Sequence, residues 1–430
     1  MTPHHFLVGT FSTPVVFTLA FDDADGSLRV VGQSKATGAH SWLSLSVSEG
    51  YAFGPLMLKR KLTGWNRSWV EQADLTRLYA TAWTTPPGLA SYRVVRNETH
   101  VPVLEHINSV ETKARSGYCC NSSIAVYSAG GPTGEVFKID PETGGFDSSA
   151  KRPLQALNFV DAKGQQDDGG VMDFGGLRHG AHSADLSLDG KRLYIADIGR
   201  NCIFVYSVQN DGKLILTDKS IAPRPTDGPR HVTPHPNGHC VYSLQEHTSM
   251  VDVFEVSATK RSIHPYTHAL LTPSIDTSVQ VSSQGKLDWK DGVKIIPKDL
   301  SPTLFWADEV RLSPSNSSST PSYLCASTRG LEPSTLGYVA VFKLLPSGLF
   351  ASPEPLAMLQ TPTSGGWANA IEPAPWASTL EGAEGKDYLA LTDSEEGLVM
   401  VLSWDGEELK EVARVQLDGK APAATAVWID

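Results

Sequence analysis

Two stretches of the chain can be laid over one another, and this repeat limits the fold more than any other feature. HSADLSLDGKRLYIADIGRNCIFVYSV (182–208) and RHVTPHPNGHCVYSLQEHTSMVDVFEV (230–256) start 230 − 182 = 48 residues apart. Each holds a first β-rich run, an Asp-Gly or Asn-Gly turn at 189–190 or 237–238, a second run, a short polar turn and a third run. Five further pairs of the second-run and third-run type occur at 6–22, 78–95, 124–140, 322–344 and 387–405, which makes seven units. Helical periodicity is scarce. Seven such units predict an all-β, seven-bladed β-propeller, in which sheets stack radially and leave only short edges. The first pair begins near Met1 with no strand before it, and the chain ends in AATAVWID. The missing strand is therefore expected from the C-terminus, closing the ring by pairing N- and C-terminal strands. All of residues 1–430 then form one domain, and the Gly-, Pro- and Ser-rich stretches near 141–175 and 257–303 read as surface loops.

The repeat also sets a register. His182 stands eight before Gly190 and Arg230 eight before Gly238, and the same count from Gly50 reaches Trp42. In units with a proline at the turn, six back from Pro314 and from Pro373 gives Asp308 and Trp367. First strands line a propeller's channel, so Trp42, His182, Arg230, Asp308 and Trp367 are expected at one mouth, with Asn369 close by. Glu246 and Arg329 follow on second strands. His182, Arg230, Glu246 and Arg329 form the candidate catalytic set, since guanidiniums bind carboxylate or phosphate while imidazole and carboxylate exchange protons near neutral pH. Trp42, Asp308, Trp367 and Asn369 are the candidate substrate contacts. The same residues also read as inter-blade ion pairs and a satisfied core histidine. His179, His231, His235 and His247 suggest a metal site only weakly, because no H-E-x-x-H spacing is present. No phosphate loop or nucleophile elbow occurs, so no cofactor is expected.

Charge and cysteines narrow the partners. With 36 basic and 47 acidic residues, the net charge of −11 opposes nucleic-acid binding. Five cysteines without a C-x-x-C pair suggest neither a disulfide framework nor a zinc cluster. The uncharged run 6–21 is too short for a membrane span and lacks a basic leader, which points to a cytoplasmic protein without a membrane partner. Oligomeric state is left open.

The runs MTPHHFLVGTFSTPVVFTLAFD, GAHSADLSLDGKRLYIADIG, GPRHVTPHPNGHCVYSLQEH, TPTSGGWANAIEPAPW and ATAVWID together resemble the fungal carboxymuconate-lactonizing enzymes. These sit within the wider seven-bladed propeller lactonases that include 6-phosphogluconolactonase. The likeness spans the chain from near Met1 to Asp430. It implies a metal-independent cycloisomerase that lactonises 3-carboxy-cis,cis-muconate in the β-ketoadipate route of aromatic-acid degradation, acting on a small polycarboxylate. It assigns the family's active-site His, Arg, Glu and Arg to His182, Arg230, Glu246 and Arg329. Two positions depart from the family pattern: Trp367 stands where a His is expected, and Trp306 where an Arg is expected. Hydrolysis of a sugar lactone, or a non-catalytic scaffold with tryptophans filling the mouth, are the alternatives.

Overall fold

The computed structural model describes residues 3–46, 77–149, 152–160, 180–257, 285–314, 321–377 and 385–429. Its strands β1 to β28 form seven antiparallel four-stranded sheets arranged as a β-propeller. The channel-side strands of blades two to seven are β4 (Leu43–Ser46), β8 (Tyr118–Asn121), β12 (Ala181–Leu186), β16 (Pro229–Pro234), β20 (Phe305–Leu312) and β24 (Ile371–Ala377). In the first blade that place is taken by β28 (Ala423–Trp428), which lies inside β1 (His4–Thr10) with Phe6 opposite Trp428 and Val8 opposite Ala426. The ring therefore closes through the chain's last strand, as the repeat requires.

Second and third strands carry the strongest sequence signal because they are sandwiched between neighbouring blades. β13 (Arg192–Asp197) and β17 (Cys240–Gln245) are buried along almost their whole length, so their side chains are apolar on both faces. Apolar clusters tie adjacent blades to one another, among them Leu7 and Val427 against Leu78 and Tyr92, Tyr194 and Val205 against Val241 and Phe254, and Phe21 and Trp428 against Tyr388 and Val401. The two predicted turns occur as expected, with Gly190 at φ 65° and Gly238 at φ 72°, a backbone region that side chains with a Cβ disfavour.

Outer strands are half-exposed, and the loop reading of 141–175 and 257–303 is corrected there. β11 (Gln155–Asn158) completes the third blade and β19 (Leu287–Lys294) the fifth. One face of each meets solvent, so polar residues such as Lys290 and Asp291 occupy strand positions that composition alone marks as loop. Residues 161–179 and 258–284 lie outside the described residues, as do Gly50 and His179. Among the described residues no helix is long and apolar enough to cross a membrane.

Trp428 fastens the closing strand. It is buried, its ring centroid is 4.4 Å from that of Phe6, and its indole N–H donates to the Glu372 carbonyl of the seventh blade at 3.0 Å. Trp428→Ala is expected to cost about 3–5 kcal/mol, read as a lower urea midpoint; an unchanged midpoint would show that closure does not depend on this ring.

Candidate active site

One irregularity, used three times, shapes the channel mouth. His182 is an extra residue between Ala181, opposite Asp197, and Ser183, opposite Ala196. Arg230 is inserted likewise between Pro229 and His231, and Asp308 between Ala307 and Glu309. A bulge breaks strict alternation and re-aims side chains, so consecutive residues can both face the channel. Three bulges at one level thus deliver His182, Arg230 and Asp308 from blades four, five and six to one place.

Strand pairing also adjusts the seventh blade. Gln245 opposite Met250 and Asp393 opposite Leu398 mark equivalent hairpin ends. Ser243 and Leu391 are then equivalent, as are their partners Val232 and Ile371. Two residues before these stand Arg230 and Asn369. The register position in this blade is therefore Asn369 rather than Trp367, because Pro375 and not Pro373 matches the turn proline Pro236.

The four charged groups interlock. Arg230 Nη2 is 3.0 Å from Asp308 Oδ1, its Nε is 3.7 Å from Glu246 Oε1, and its Nη1 donates to the Asp308 carbonyl. Arg329, on β21 (Tyr323–Gly330), places Nη2 at 3.3 Å from the same Glu246 oxygen and Nε at 3.4 Å from the same Asp308 oxygen. Its Nη1 donates to the Gly366 carbonyl at 3.1 Å, and its guanidinium lies 4.9 Å from the centre of the Trp306 ring. Two cations and two anions, all buried, form a closed quartet. Asn369 supports it from behind: its backbone N–H donates to Asp308 Oδ2 at 2.9 Å and its amide to the Thr328 carbonyl at 3.1 Å, and it stands off the cavity wall.

The quartet forms one wall of a cavity of about 230 Å³, with His182 on the same lining and Phe11, Trp83 and Trp367 towards solvent. Trp306 does not line it, and Trp367, 59% exposed, leans edge-on against Phe11 at 5.7 Å. The two tryptophans thus take different places, Trp306 off the cavity wall and Trp367 on its exposed rim. Trp42 also lines the cavity, stacked on Tyr118 at 3.8 Å with the Arg311 guanidinium 5.1 Å from its ring centre.

Two residues outside the candidate catalytic and contact sets also line the cavity, Glu309 and His231, the latter read from the sequence only as a weak metal candidate. His231 faces the channel beside His182, ring centroids 5.0 Å apart, and its Nδ1 is 2.6 Å from Glu309 Oε1; Glu309 also accepts from Arg311 at 2.8 Å. Each directly follows a bulge residue, and alternation would have turned it away; a bulge signal in the first strands was the missing clue. His235 and His247 go elsewhere, to a turn at Asn237 and to the edge of Trp306.

Electrostatics follow from this crowding. Burial, then the nearby Arg230, His231 and Arg329, hold the His182 imidazole well below the usual histidine range. Burial and Arg230 do the same to His231. Burial pushes Glu309 up to about 7, against the opposing pull of Arg311 and Arg230.

A family model described as the seven-bladed β-propeller lactonases matches residues 57–348. The chain is 38% identical over 433 residues to muconate cycloisomerase 1 of Cutaneotrichosporon cutaneum, covering 100% of this chain and 99% of that one. It is 25% identical over 453 residues to carboxy-cis,cis-muconate cyclase of Neurospora crassa, covering 100% of both. Among solved structures, the periplasmic gluconolactonase of Pseudomonas aeruginosa matches with a TM-score of 0.65 at 18% identity over 100% of this chain and 99% of that one, a likeness of fold.

A carboxyl raised from 4.5 to about 7 stabilises the fold fully below pH 4.5 and loses that contribution as pH rises to about 7. Thermal unfolding of wild type and Glu309→Gln across this range should therefore show the wild-type Tm falling relative to the variant. A relative rise would mean that Arg311 keeps Glu309 ionised throughout.

Proposed function

Because the chain belongs to the seven-bladed β-propeller lactonase family, we propose that its pocket converts 3-carboxy-cis,cis-muconate to 3-carboxymuconolactone by intramolecular lactonisation. The observation that carries this reading is the pair of buried guanidiniums, Arg230 and Arg329, held by the same two carboxylates on the wall of a cavity that also presents His182. The names of the two curated relatives support the same class of diene acid.

In the reaction one carboxylate oxygen of the substrate adds to a conjugated C=C. A C–O bond forms, and the π pair moves to the next carbon and into the carboxylate attached there. That carbon then takes a proton. Nothing leaves and no electrons are exchanged with a second reactant; the trianion becomes a dianion by uptake of one proton. The developing charge needs donors already in place, and Glu246 with Asp308 fix both guanidiniums before substrate arrives. Glu246 contacts both guanidiniums and acts as a positioning residue. His182 is the donor. Burial, then Arg230, His231 and Arg329, keep it neutral while the pocket is empty; a polyanion against the guanidiniums offsets their share, which favours the protonated imidazole that passes its proton to carbon.

Charge stabilisation is assigned to Arg230 and Arg329, the two buried guanidiniums on the cavity wall. Net charge −11 does not steer a trianion, so attraction is local to the pocket. Five unpaired cysteines, four of them buried, fit a reducing cytoplasmic setting.

Loss of the diene's ultraviolet absorbance on adding purified protein tests this reading, with cis,cis-muconate, 3-carboxymuconate and 6-phosphogluconolactone offered in parallel. Arg230→Gln and Glu246→Gln, shown to be folded by circular dichroism, should each lower turnover at least about 100-fold, and a chelator should change nothing. Near-wild-type rates in both variants, or hydrolysis of the sugar lactone without diene loss, would overturn it.

A further inference from the structure

The buried quartet is electrically closed: Arg230 and Arg329 contribute +2, Glu246 and Asp308 −2. A polycarboxylate that enters the pocket therefore meets donors whose charge is already matched. A third guanidinium stands at the same cavity. Arg115 lies in the connection from β7 (Pro102–Glu111) to β8, is solvent-exposed, and lines the pocket with His182 and Arg230. No carboxylate of the described residues pairs with it. Its guanidinium instead lies 4.9 Å from the centre of the Trp83 ring. That ring is itself fixed, since its indole N–H donates to the Ser116 carbonyl at 3.0 Å and its other neighbour is Phe11, at 5.5 Å between centroids. Stacking on an anchored indole orients a guanidinium and leaves its N–H edge free to grip a carboxylate with two parallel hydrogen bonds.

We propose that Arg115 receives the substrate carboxylate farthest from the buried pair and gives the pocket its preference for three carboxylates over two. The inference rests on the lactonisation reading for the natural substrate, but its chemistry is testable without turnover. Arg115 supplies the unmatched positive charge at this mouth, and Trp83 sets the direction in which that charge is presented. A dicarboxylate diene fills the inner positions and leaves Arg115 in water; the third carboxylate of a tricarboxylate reaches it.

Calorimetric titration with benzene-1,2,4-tricarboxylate and with benzene-1,4-dicarboxylate, two planar probes that cannot lactonise, separates the cases. Arg115→Gln should weaken the tricarboxylate about tenfold or more and the dicarboxylate less than about threefold, with Arg115→Lys between. In steady state the same variant should raise KM for 3-carboxymuconate by a similar factor, with a smaller change in kcat. Equal loss for both probes, or no loss for either, overturns the assignment of Arg115. Selective loss of the tricarboxylate by a protein that turns over no diene would keep that assignment and remove the lactonisation reading; normal turnover with Arg115→Gln indistinguishable from wild type would do the reverse.

Discussion

Ring closure is the constraint on which everything else depends. A seven-bladed ring has no stable open form, because every blade needs a neighbour on each side to cover its apolar faces. Laying β28 inside β1 supplies the last contact and fixes the spacing of all seven channel-side strands. Only then do bulges on β12, β16 and β20, far apart in sequence, become neighbours across a gap of a few ångströms.

The charged quartet shows what that rigidity permits. Burying two guanidiniums and two carboxylates is costly unless geometry pairs them closely, and hydrophobic replacements would often be no less stable. Here each arginine contacts both Glu246 and Asp308, and Asn369 and Gly366 take up further hydrogen-bonding capacity of Asp308 and Arg329. The return is preorganisation: the donors do not reorient as charge develops. Beside the quartet, His231, Glu309, Arg311 and Trp42 extend the same principle, and burial with the nearby Arg230 keeps both imidazoles neutral.

What the amino-acid pattern revealed depends on how each strand is buried. Second and third strands, covered on both faces, repeat as apolar runs, and seven of them announced the blade number. Gly190 and Gly238 then aligned His182 with Arg230 correctly, since those turns hold a fixed length. The alignment lost two residues at Pro373, where a second proline, Pro375, competes as the turn marker. Glu309 stayed hidden, and His231 read only as a weak metal candidate, because a bulge has no simple composition signature, and Arg115 stayed hidden because a connecting loop carries no register at all. β11 and β19 were missed for the opposite reason: half-exposed outer strands tolerate the polar residues of a loop. Resemblance to a known family added the reaction class, which no pattern of periodicity contains.

The proposed reaction is an addition completed by a proton that the protein delivers from one side. Running the lactonisation in D₂O and reading the product by NMR tests this directly. One deuterium at the carbon beside the newly bonded one, on a single face, is the predicted result. A lactone without deuterium there would mean that the hydrogen comes from no exchangeable group, and equal labelling of both faces that it comes from no fixed donor; either would show that His182 does not act as proposed.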